Sequence, residues 1–178
     1  QLSPTNAAHV AKQLGDRLSL IVDGGDSNVG IESTVVDVTG AVPRVLRPGM
    51  ITEQSIRAAA GEGGAGAAVE PAATGPLRSP GMLEKHYSPR ARVVLRRWRD
   101  EADLTEQIAG LNAAPERTFV LAHSRIPLSG RLPHVSIIPD DPEAFARGLY
   151  AELHRFDEQG AAWIVVEELP DTPEWNGI

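Results

Sequence analysis

Arg47 is followed at once by Pro48 and Gly49, so a guanidinium stands at the end of an apolar run where the chain must turn away. An arginine placed there can aim its fork at a phosphate or a carboxylate, or it can sit in a surface ion pair. Upstream, Asp23-Gly24-Gly25 and Gly30-Ile31-Glu32-Ser33-Thr34 flank a loop that leads into a strand. Glycines there let backbone N–H groups turn toward a ligand, with the Ser33 and Thr34 hydroxyls at the strand mouth; a plain glycine-rich turn is the alternative. Residues 79–90 read SPGMLEKHYSPR. A spacer needs no Met, His and Tyr held between prolines, and Pro80 and Pro89 stiffen an extended course, so the segment is expected to dock on a surface. Tyr87 offers an aromatic face to a base or a hydroxyl to a polar group; otherwise it anchors the segment by apolar burial.

Other chemistries find less support. The five histidines, His9, His86, His123, His134 and His154, show no metal-ligand spacing. There is no cysteine, which removes disulfides, thiolate ligands and thiol nucleophiles. His123-Ser124 follows an apolar run, but no acid partner for a Ser/His hydrolase is visible in the sequence. Asp37 reads as a face residue of its strand, and Glu152, Asp157 and Glu158 read as a solvated helix face. Gly61, Gly63 and Gly66 match G-x-G-x-x-G, yet they follow a helix and open none, so they read as linker.

These groups need elements to carry them. Ser3 and Pro4 open a helix through Leu14, with Gly15 as its cap. Residues 18–22, 33–39 and 43–46 read as strands, and Thr52 caps a helix to Ala60 with Ile51 and Ile56 as a staple. Residues 61–75 are Gly/Ala-rich linker. From Ala91 onward, strands at 92–96, 118–122, 135–138 and 162–166 alternate with helices at 103–112 and after Asp141-Pro142. The alternation implies a parallel sheet with helices on both faces. The resulting division is 1–60, a linker or lid at 61–90, and a small doubly wound α/β domain at 91–178. A start at a helix cap with no preceding strand, and an end inside a loop-to-helix pattern, lead us to expect a piece of a longer protein.

Hydrophobic residues make up 42% of the chain and charged residues 23%, an ordinary globular balance. A net charge of −7 with a pI near 5.2 argues against a chain-wide basic surface for nucleic acid, while leaving room for a local basic patch. No apolar run approaches the roughly 18–20 residues that span a bilayer, and no signal peptide opens the chain. A cytoplasmic setting is the expectation.

Taken in order, several motifs resemble the long, two-domain form of threonylcarbamoyl-AMP synthase. They are Ser3-Pro4-Thr5, Asp23-Gly24-Gly25, Gly30 to Asp37 (GIESTVVD), Leu46-Arg47-Pro48-Gly49 and the run at 79–91. The resemblance implies that residues 1–60 are the carboxy-terminal part of a YrdC-like α/β domain, joined to a Rossmann-like one. Such enzymes condense L-threonine, bicarbonate and ATP to threonylcarbamoyl-adenylate and pyrophosphate, for modification of adenosine 37 in tRNA. By position, the resemblance assigns Thr5, Arg47 and Tyr87 to ATP, with Tyr87 on a lid, and Ser33 to L-threonine. Magnesium is expected with ATP, and downstream tRNA-modification proteins are expected partners. The Lys/Arg motif and the Ser-x-Asn motif that precede Ser-Pro-Thr in the family are not among these residues, so the chain alone is expected to be inactive. Half a domain should also expose an apolar face, making residues 1–75 less soluble than 91–178. Two other classes stand beside this one. An RNA-binding module would show salt-sensitive tRNA binding, and a carbamoyl-transfer relative would normally bring zinc-finger regions.

Overall fold

In a computed structural model, which describes residues 2–40, 43–61 and 88–178, Asn6 rather than Ser3 caps the first helix. Asn6 Oδ1 accepts from His9 N–H at 3.0 Å and opens α1, Ala7–Leu14. Ser3 is diverted because its hydroxyl donates to Glu32 Oε1 at 2.5 Å, so Ser3-Pro4-Thr5 forms a lead-in before the helix. Past Gly15 the chain makes a tighter turn, Gly15–Arg17.

Residues 18–22 form no strand. They pair with nothing in the described sheets, and Leu20 and Val22 are 76% and 80% exposed. An apolar run becomes a buried strand only where neighbours complete its ladder and cover its faces.

β1, Val35–Asp37, and β2, Arg44–Arg47, make an antiparallel hairpin with a register shift after Val35. Asp37 does more than face outward. It accepts from Thr39 N–H at 2.9 Å and Thr39 Oγ1 at 2.6 Å, and it meets Arg44 at 3.4 Å, tying the turn together. α2, Glu53–Ala59, starts at Thr52 as expected, whose hydroxyl accepts from Ser55 N–H; Ile51 stays largely exposed.

The second block is a four-stranded, all-parallel sheet. Its strands are β3 (Arg92–Arg96), β4 (Thr118–Ala122), β5 (Val135–Ile137) and β6 (Trp163–Glu167), in the order β3-β6-β4-β5. The crossovers carry α3, Glu101–Ala109, and α4, Pro142–Glu158, to opposite faces, which is the doubly wound arrangement. Period-two alternation divides β4 and β6 between two cores. Phe119, Leu121, Ile164 and Val166 pack with Phe145 and Phe156 of α4. Val120, Ala122 and Val165 pack with Leu104 and Ile108 of α3 and with Trp98. Asp141 caps α4 with Pro142 in its first turn, and Gly160, at φ +78°, ends it.

The two blocks are closely joined. Leu2 enters the core on the α4 side. Lys12 bridges to Glu158 at 2.7 Å, and Asp157 accepts from the backbone N–H groups of Arg90 and Ala91. These acids, with Glu152 on Ser136 at 2.6 Å, are therefore partnered rather than merely solvated. Gly30 lies against the backbone of α4: a Cβ there would sit 2.5 Å from the Arg147 carbonyl oxygen and 2.7 Å from that of Ala146. Backbone cannot give way as a flexible side chain can. Gly30→Ala is expected to cost about 1–3 kcal/mol, read as a lowered thermal midpoint. Gly24→Ala, where nothing lies within 4 Å, should change it little.

Candidate functional site

The hairpin register brings together two residues fourteen positions apart in the chain. Arg47, at the end of β2, pairs with Val35 at the start of β1, which sets its side chain beside Ser33. Its Nε and Nη2 donate to the Ser33 carbonyl oxygen at 3.0 and 2.9 Å, and Nη2 reaches Ser33 Oγ at 3.2 Å. Nη1 lies 3.6 Å from Glu32 Oε2, while the other oxygen of that carboxylate receives the Ser3 hydroxyl. The planar fork thus spans three acceptors that a single ammonium could not. The structure directs it onto the Glu32-Ser33 loop.

Pro48-Gly49 completes the cluster. A Cβ at Gly49 would lie 2.7 Å from Thr34 Oγ1 and 2.8 Å from the Glu32 carbonyl oxygen, so this turn tucks under the loop only as glycine. Gly177, from the far end of the chain, approaches Gly49 as closely, for its Cβ would stand 2.5 Å from the Gly49 carbonyl carbon. Thr34 Oγ1 donates to the Ile51 carbonyl oxygen. Ser3 and Glu32 are members of the cluster that chemistry-bearing spacing did not single out; an acid next to Ser33 was the available signal.

Thr5 sits one residue before the α1 cap instead of in its first turn, and it is 4% exposed. Its carbonyl oxygen accepts from Ser27 N–H at 2.8 Å, and its own N–H and hydroxyl both face His9 Nδ1. The Ser3–Glu32 bond ties this lead-in to the Arg47 cluster. Tyr87, His86 and the 79–87 part of the linker motif lie outside the described residues, as do Gly63 and Gly66.

A second polar cluster lies where β4 and β6 end, the edge at which doubly wound sheets hold ligands. It corrects the expectation that His123 has no acid partner. His123 Nδ1 lies 2.8 Å from Asp140 Oδ1, and Nε2 is 3.3 Å from the Glu168 carbonyl oxygen. Ser124, however, donates its hydroxyl to Glu167 at 2.5 Å and not to His123. The nucleophile–base pair of a hydrolase is therefore not formed. Glu167 is 1% exposed and also accepts the backbone N–H groups of His123, Ser124 and Arg125. Burial pushes its carboxyl up, but the Ser124 hydroxyl and the three N–H donors together outweigh that and hold it below the ordinary value. Glu167 is a brace for the loop after β4.

Fold and site together define a two-part α/β protein, in which a hydroxyl- and glycine-rich loop leading into the hairpin is seated on a doubly wound domain. Comparison with known families makes this specific. The family model "Threonylcarbamoyl-AMP synthase, C-terminal domain" matches residues 51–178, and a second, described as "Telomere recombination", matches residues 1–49. The chain belongs to the threonylcarbamoyl-AMP synthase C-terminal domain family. It is 33% identical over 178 residues to the threonylcarbamoyl-AMP synthase of Bacillus subtilis, covering 96% of this chain and 49% of that protein. It is 32% identical over 168 residues to that of Pyrococcus abyssi, covering 93% and 48%. The crystal structure of P. abyssi Sua5 complexed with L-threonine superposes with a TM-score of 0.78 at 30% identity, over 99% of this chain and 52% of that one. The chain spans about half the length of the relatives it matches. Among the described residues, no helix is long and apolar enough to cross a membrane.

Proposed function

We propose that this chain works as the carboxy-terminal half of an L-threonylcarbamoyladenylate synthase, a nucleotidyltransferase. The observation that carries the reading is the Arg47–Ser33–Glu32 cluster, which puts a guanidinium and a hydroxyl side by side where the hairpin meets the loop before it. The names of its relatives, and the threonine in the P. abyssi structure, support it.

In this reading Ser33 holds L-threonine, and Arg47 and Thr5 border the ATP, Arg47 braced on Ser33 and Glu32 and Thr5 resting on His9. The amine of threonine forms a bond to the carbon of bicarbonate, a C–O bond of bicarbonate breaks and water leaves, giving a carbamate. A carbamate oxygen then attacks the α-phosphorus of ATP, the bond to the β-phosphate oxygen breaks, and pyrophosphate leaves. Arg47 would place fixed positive charge where negative charge develops. The carbamate loses carbon dioxide in water, so enclosure matters, and Tyr87 is the proposed lid residue.

Magnesium would travel with the triphosphate. Among the described residues no cluster of acids and histidines is built to hold a metal. Glu32, the acid of the site, is engaged by Ser3 and Arg47. This chain's described residues therefore offer no magnesium cage of their own. The product would pass to tRNA-modification proteins in the cytoplasm.

ATP–pyrophosphate exchange with threonine and bicarbonate tests the reading. Exchange is expected from the full-length protein and not from residues 1–178 alone. Robust exchange by the 178 residues would overturn the half-enzyme reading, and none from the full-length protein would overturn the enzyme class.

A further inference from the structure

His9 lies outside every motif of the site, yet it is the side chain on which Thr5 rests. Thr5 N–H donates to His9 Nδ1 at 3.3 Å, and Thr5 Oγ1 lies 3.1 Å from the same nitrogen. An N–H can donate only to an unprotonated ring nitrogen, so Nδ1 is an acceptor and the ring proton resides on Nε2. The ring is held from behind. His154, buried on α4, stacks on it with centroids 3.7 Å apart and planes 17° from parallel. His154 Nε2 also stands 3.0 Å from the Ser3 carbonyl oxygen. The parallel-sheet domain thus grips the lead-in twice, at Ser3 directly and at Thr5 through His9.

We propose that His9, backed by His154, is a positioning residue that fixes the amide and hydroxyl of Thr5, so that the parallel-sheet domain helps set the ATP affinity of the site. The proposal rests on the assignment of Thr5 to ATP. Its chemistry depends on an unprotonated Nδ1. Protonation would turn that nitrogen from acceptor to donor and leave Thr5 N–H without its partner. The charged groups facing His9 are His154 and Glu158 on α4, Lys12 on α1, and Asp26 in the following loop. Burial, then the neighbouring His154 and Lys12, hold His9 below the ordinary histidine value of 6.5 against the pull of Glu158 and Asp26. The acceptor therefore persists at neutral pH.

Kinetics of the full-length protein read the effect. His9→Ala is expected to raise the KM for ATP about three- to tenfold, with the KM for L-threonine nearly unchanged. His9→Asn, whose amide oxygen can stand where Nδ1 stood, should recover most of that loss. The wild-type KM for ATP should rise on acidification below pH 6.5, and His9→Asn should lack that rise. Equal changes in both KM values, or an acid rise retained in His9→Asn, would overturn the proposal. Nitrogen chemical shifts of His9 and hydrogen exchange of the Thr5 amide read the geometry without any turnover. A bare Nδ1 and a protected amide are expected in the wild type, and both should weaken in His154→Leu. A freely exchanging Thr5 amide would overturn the inference whatever the activity. Absence of adenylate formation, with that amide protected, would instead overturn the enzyme reading of the site.

Discussion

If the chain serves the proposed synthase, Arg47→Ala is expected to lower the kcat/KM of the full-length protein by about 10- to 100-fold for ATP and for L-threonine alike. The reason lies in what the guanidinium holds. It binds the Ser33 carbonyl oxygen through two nitrogens and the Ser33 hydroxyl through one of them, and it stands against the Glu32 carboxylate. Removing it deletes a positive charge and also releases the loop that carries Ser33. Arg47→Lys separates the two effects. Lysine restores charge but cannot span the same acceptors, so it should recover more of the ATP dependence than of the threonine dependence. A threonine KM unchanged in both variants would show that the Ser33 contacts do not serve the threonine site.

The second large effect concerns stability. Glu167→Ala leaves three backbone N–H groups and the Ser124 hydroxyl without their acceptor at the end of β4. The expected cost is about 3–5 kcal/mol, a large share of the about 5–15 kcal/mol that holds a domain together. Denaturant unfolding measures it. A pH series adds an independent check. The folded carboxyl lies below its ordinary value of 4.5, so its stabilisation is complete above that value and disappears as pH falls through the lower, folded one. Wild type should therefore weaken on acidification below pH 4.5, and Glu167→Gln should lose that part of the slope. An identical acid slope in both would mean that the negative charge of Glu167 contributes nothing to folding.

Much of the parallel-sheet domain was legible from local pattern. Strands at 92–96 and 118–122 fall where the apolar runs place them, and Asp141-Pro142 starts α4 at the expected residue. Capping chemistry and period-two alternation act over a few residues, so they can be read without knowing the partners. Elsewhere a local signal was outbid. Ser3 has the chemistry of a cap, yet Glu32 takes its hydroxyl and Asn6 takes the cap. Residues 18–22 have the composition of a strand, but no neighbour pairs with them.

Order and type of residue were enough to mark Ser33, Arg47 and Tyr87 as the groups to watch and to suggest a family, and the resemblance to that family added Thr5, because motifs are read as strings. Tertiary structure alone decided that Arg47 forks onto Ser33, that Thr5 leans on His9, and that His154, 145 residues further along, stacks behind it. It likewise supplied His123 with Asp140 and gave Glu167 its four donors. Those contacts depend on the register of a hairpin, the order of parallel strands and the closeness with which Gly30 and Gly177 let two backbones meet. Such non-local distances arise only when distant segments share one packed surface, and no spacing within a motif records them.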